Sequence, residues 1–127
     1  MADVNLRRIL LVAAGGTVGT AARLGLGLAL PDVGGFPVAV LIANIVGALL
    51  IGVLAVRLPA SADLRLMLGT GVLGGFTTYS AFMTGTLELW EGAPVLASAY
   101  AVGSLVLGLG AAALGMRLGR PRAGVAS

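Results

Sequence analysis

Between Phe36 and Val56 the chain carries no charged residue, and Asn44 is the single strongly polar side chain in that run. A stretch of this kind has the dimensions of a membrane crossing, which needs roughly 20 predominantly apolar residues. Three comparable stretches accompany it. Together they predict helices over about 9–30, 36–56, 66–89 and 94–118, within a single membrane domain spanning residues 1–127. Helices are expected because lipid offers no partner to an unpaired N–H or carbonyl, and a helix satisfies both within one segment. The expected fold class is therefore all-α, with four transmembrane helices.

Composition points the same way. Charged residues make up 10% of the chain and hydrophobic ones 58%, whereas a soluble domain carries about 25% charged residues. So few charges cannot coat a water-facing surface. The breaks between runs have turn chemistry: Pro31, Asp32, Gly34 and Gly35, then Arg57, Pro59 and Asp63, then Glu88, Trp90, Glu91 and Gly92. Pro94 suits the first turn of the fourth helix. The tail from Gly119 to Ser127 is small and polar, and fraying is expected there. Arg7 and Arg8 precede the first run as they would in a signal peptide, but that run is too long and three more follow it. No internal repeat is visible, so any symmetry must come from a second chain.

The chain has no cysteine and no histidine, and all eight of its basic residues are arginines. Disulfides, thiolate metal sites and the commonest general base are thereby excluded. A net charge of +3 raises the question of nucleic acid, but the arginines sit at the ends of apolar runs and form no basic stripe. Lipid headgroups are the expected partners. Arg7 and Arg8, Arg57 and Arg65, and Arg117, Arg120 and Arg122 fall on one side. The other side has Asp32, Glu88 and Glu91, with no arginine unless Arg23 reaches it. The positive-inside rule then puts both termini in the cytoplasm of a multi-pass cell-membrane protein.

The segment from Gly69 to Gly85 reads GTGVLGGFTTYSAFMTG. Gly69, Gly71 and Gly74 match GxGxxG, but the strand that a dinucleotide site requires is missing. Glycines also let membrane helices pack closely, as Gly15, Gly19 and Gly25 do on this reading. Packing alone does not account for Gly74, Gly75, Phe76, Thr77, Thr78, Tyr79 and Ser80 in succession. That cluster predicts a helix break, which survives at membrane depth only where protein, water or an ion takes up the freed backbone groups. Asn44 must hydrogen-bond to something, either as an interhelical clamp or as a pore-lining donor to an anion. Arg23 is a snorkelling anchor or a charge in an aqueous vestibule. Tyr100 and Ser104 share one helical face and, with Ser98, form a polar track unless the hydroxyls bond their own backbone. No catalytic constellation is present, and no enzyme is expected.

Three segments together resemble the Fluc family of fluoride channels, also called CrcB: GGTVGTAAR ending at Arg23, ANIVGALLIG containing Asn44, and GVLGGFTTYSAF. The resemblance covers almost the whole chain. It implies a dimer of antiparallel subunits with a pair of narrow pores, and a third helix broken at its centre. It also implies a structural sodium ion, not transported, held by the backbone carbonyls of Gly74 and Thr77. The family's two pore phenylalanines correspond to Tyr79 and Phe82, whose ring edges carry the positive end of the aromatic quadrupole. Asn44 and Ser80 would supply donors beside them, and Tyr100 and Ser104 would extend the path. Two positions depart from the family pattern: Tyr79 replaces a phenylalanine, and Ala81 stands where a threonine is common.

The function that follows from the resemblance is passive export of fluoride, which relieves its toxicity. Single-gene members of the family insert in both orientations, whereas the arginine bias here is decided. The expected assembly is a homodimer or a heterodimer with an oppositely oriented homologue, and the bias favours the second. Two rival readings remain. A small multidrug-resistance transporter needs an embedded carboxylate in its first helix, and this first run has none. A non-conducting assembly subunit would give Asn44 and Thr77 no role in ion flux.

Overall fold

A computed structural model describes residues 5–120, all of whose regular elements are helical. The expected tail beyond Arg120, with Arg122, lies outside the described residues. Helix α1 spans Leu6–Ala29, α2 Val38–Arg57, α5 Tyr79–Gly92 and α6 Pro94–Gly119. Between α2 and α5 lie α3 (Asp63–Arg65), a π-helical run (Leu66–Leu73) and α4 (Gly74–Phe76). Helices α1, α2 and α6 are each long and apolar enough to cross a membrane. Their outward faces are apolar side chains such as Leu28 and Val95, 79% and 84% exposed, which belong in lipid rather than water. This is a membrane protein.

Local chemistry sets the helix ends. Asn5 caps α1, its side chain accepting from the Arg7 N–H at 2.9 Å. Pro31 follows its last turn and cannot continue it. Val33 and Phe36 pair across a tight turn in which Gly34 and Gly35 have φ of +59° and +83°. Two successive positive φ values suit glycine because a Cβ would clash. The turn reverses the chain into α2. Arg7 and Asp63 form an ion pair at 3.1 Å, tying the start of α1 to the start of α3.

Apolar helices gain little from burying oil against oil in a bilayer, so close backbone approach holds them together. Gly15 of α1 meets Gly71, Gly16 meets Gly75, and Gly19 lies against the backbone of Val72 and Phe76. A Cβ on Gly15 would lie 2.5 Å from the Met67 carbonyl oxygen, and one on Gly75 would lie 2.5 Å from that of Gly16. The second seam joins α2 to α6. There Gly52 abuts the Ala112 carbonyl, Gly115 that of Leu49, and Gly119 the backbone of Val53. Helix α5 folds back on α6 after Ala93, and Phe82, Leu89, Ala97 and Tyr100 form the buried cluster between them. The two seams leave a gap between α2, the Thr77–Thr78 link and α6.

Candidate functional site

Helix α4 stops at Phe76, and α5 starts at Tyr79. Thr77 (φ −82°, ψ 156°) and Thr78 (φ −150°, ψ 120°) between them are extended. Each threonine replaces part of the lost helical bonding. The Thr77 hydroxyl donates to the Leu73 carbonyl at 2.9 Å, beside the Thr77 N–H on the same oxygen at 2.9 Å. The Thr78 hydroxyl accepts from the Ala81 N–H at 3.1 Å and so caps α5.

Asn44 completes the arrangement from α2. Its Nδ2 donates to the Thr78 carbonyl at 3.0 Å, and its Oδ1 accepts from the Thr78 N–H at 2.8 Å. A primary amide has one acceptor and two donors, so one Nδ2 hydrogen remains beyond this pair. From α1, the Arg23 Nε donates to the Gly75 carbonyl at 3.3 Å, and the Thr20 hydroxyl reaches the same oxygen at 3.5 Å. Arg23 is half-buried. Its guanidinium therefore engages the last turn before the break instead of trailing towards headgroups.

The carbonyls of Gly74 and Thr77 receive no hydrogen bond among the described residues. Unpaired carbonyl oxygens suit a hard cation such as sodium. Among the described residues no cluster of three or more acidic, cysteine or histidine side chains could hold a metal. The residues present fit a carbonyl-bound sodium.

Beside the break is a cavity of about 260 Å³ lined by Asn44, Thr77, Thr78, Tyr79, Phe82 and Ser104, with Leu105 at its edge. Tyr79 is 74% exposed, and its ring centroid lies 6.1 Å from that of Phe82. Phe82 leads on to Tyr100 at 5.5 Å, and Tyr100 meets Phe36 edge-on at 5.2 Å. The Tyr100 hydroxyl and Ser104 Oγ are buried without a hydrogen-bond partner among the described residues. Ser98, by contrast, donates to its own Pro94 carbonyl at 2.9 Å. Ser80 is exposed outside the cavity lining, its Oγ 3.4 Å from the Thr78 Oγ1.

The family model for CrcB-like protein, Camphor Resistance (CrcB), matches residues 10–116. The chain belongs to the CrcB family. A relative from Thermus thermophilus, named fluoride-specific ion channel FluC, is 48% identical over 120 residues, 90% of this chain and 96% of its own length. Relatives with the same name come from Agrobacterium fabrum, 45% identical over 88% of this chain and 95% of theirs, and from Oceanobacillus iheyensis, 40% identical over 89% and 92%.

In this CrcB chain the fold gathers Asn44, Thr77, Tyr79, Phe82 and Ser104 around one cavity. Tyr100 stands behind Phe82, and Arg23 and Gly74 lie on the α4 side of the break. The pivotal residue absent from the sequence-based site is Thr78, whose main chain Asn44 holds and whose hydroxyl caps α5. A threonine just before a helical run is a capping signal in its own right. Thr20 also goes unnoticed in sequence, because its partner lies 55 positions away.

Proposed function

We propose that this chain is one half of an antiparallel dimeric channel that lets fluoride leave the cytoplasm passively. The carrying observation is one cavity framed by Asn44, Thr77, Thr78, Tyr79, Phe82 and Ser104, in a chain whose CrcB relatives are named fluoride-specific ion channels. It is a channel and not an enzyme. On this reading the stretch from α3 to α5 forms a single crossing interrupted at Thr77 and Thr78. With α1, α2 and α6 it makes four.

Fluoride moves past weak donors. The ring edges of Tyr79 and Phe82 attract an anion through their quadrupoles, and Asn44 offers its remaining N–H. The hydroxyls of Ser80, Tyr100 and Ser104 continue the path. None of these carries a full charge, so an ion can enter and leave again, as conduction requires. Arg23, bonded behind the break at Gly75, adds positive potential without standing in the path. The inside-negative membrane potential drives the anion outward at about 2.3 kcal/mol per 100 mV. A sodium ion would be held by the Gly74 and Thr77 carbonyls at the centre of the dimer, where it would supply fixed positive charge and satisfy the main chain.

The arginine bias supports cytoplasmic termini and a partner of opposite orientation, a homologue encoded separately. Recovery of a single polypeptide from a fluoride-conducting dimer would refute that pairing. The channel reading is tested by fluoride efflux from liposomes holding the purified protein. Rapid efflux of fluoride with chloride retained is expected. A sealed liposome, or equal loss of chloride, would overturn it.

A further inference from the structure

A second cavity lies away from the break, at the membrane-surface ends of α2 and the π-helical run. It has a volume of about 370 Å³. Its lining is split by chemistry. Ile51, Leu54 and Leu66 supply an apolar wall, while Arg65 and Thr70 supply polar groups at the rim. Ile51 and Leu54 lie on one face of α2, three residues apart.

Arg65 is half-buried, and one N–H donates to the Leu58 carbonyl at 3.1 Å. That bond fixes the side chain and leaves the other donors of the guanidinium available. The nearest carboxylate in sequence, Asp63, is engaged by Arg7 at 3.1 Å. Arg65 has no ion-pair partner among the described residues. Arg65 is the one charged residue in the lining. The charge that would complement this rim is an anion, and the wall below it suits a hydrocarbon chain.

We propose that this cavity binds one anionic phospholipid, with the headgroup phosphate on Arg65 and an acyl chain against Ile51 and Leu54. A guanidinium matches two phosphate oxygens at once. Basic recesses between membrane helices on the arginine-rich side are suited to anionic headgroups. Gly69 keeps the cleft open: a Cβ there would meet only the tip of Leu54, at 4.0 Å. The site is separate from the fluoride path, and its test does not depend on ion flux.

The test is retention of added phosphatidylglycerol or phosphatidylcholine by the intact, detergent-purified assembly, read by native mass spectrometry. Phosphatidylglycerol is expected to be held in preference to phosphatidylcholine. Arg65→Gln should weaken its retention about fivefold, the worth of one arginine near an anionic headgroup. Gly69→Leu keeps the arginine but fills the cleft, and it should weaken retention as well. Arg117→Gln, which changes an exposed arginine elsewhere, should not. Equal retention of both lipids, or unchanged phosphatidylglycerol binding in either cavity variant, would overturn the proposal. So would displacement of the lipid by inorganic phosphate alone, which would assign the rim to a free anion.

Discussion

The Asn44 side-chain amide grips the Thr78 main chain at both of its polar groups, accepting from the N–H at 2.8 Å and donating to the carbonyl at 3.0 Å. One residue of α2 thus does for Thr78 what a neighbouring strand does in a sheet. Asn44→Ala would strand two partly buried backbone groups, each costing about 1–3 kcal/mol. A lowered melting temperature in detergent and loss of fluoride efflux are expected together. Asn44→Asp keeps the acceptor but sets a negative charge against the Thr78 carbonyl, so it should do no better. Wild-type stability in Asn44→Ala would show that the clamp holds nothing.

Tyr100→Phe separates stability from conduction. The Tyr100 hydroxyl is buried without a partner among the described residues, in a residue only 2% exposed. Its removal should leave the melting temperature unchanged or raise it, because an unsatisfied group is costly. If the hydroxyl serves the passing anion, efflux should fall about tenfold, near the worth of one hydrogen bond to a charged group. Unaltered efflux would remove Tyr100 from the path.

Two glycines of α1 should respond oppositely to the same change. A Cβ on Gly19 would run into the Val72 carbonyl, whereas one on Gly25 meets nothing within 4 Å. Gly19→Ala is expected to abolish monodisperse protein in size-exclusion chromatography, and Gly25→Ala to preserve it. Matching profiles for the two would mean that the seam between α1 and the π-helical run is not what holds the fold.

The Gly74 and Thr77 carbonyls predict a requirement for sodium that no side-chain substitution addresses directly. Purification and assay with sodium replaced by a bulky organic cation should lower both efflux and the melting temperature. Restoring sodium should recover them. Indifference to the exchange would leave these carbonyls without an ion.

The all-helical fold, its three long apolar helices and the turns between them were legible in the residues themselves. Each depends on neighbours in the chain: hydropathy over one membrane width, and proline and glycine at ends. Boundaries shifted by a few residues, as with α1 at Leu6–Ala29 against an expected 9–30, because capping by Asn5 extends the helix into polar sequence. The hydroxyls were harder to sort. Ser98 and Tyr100 sit on one helix, yet Ser98 bonds its own backbone and the Tyr100 hydroxyl bonds nothing among the described residues.

Whether Asn44 was a clamp or a free donor, and whether Arg23 faced headgroups or the break, could not be read along the chain. Their partners, Thr78 and Gly75, lie 34 and 52 positions away. Local sequence determined that this protein would enter a bilayer as helices and crowded small and hydroxyl residues into its third apolar stretch. Tertiary structure decided which polar atoms meet there. Hydrogen bonds act over about 3 Å, and only the packing of glycine seams brings such distant residues that close.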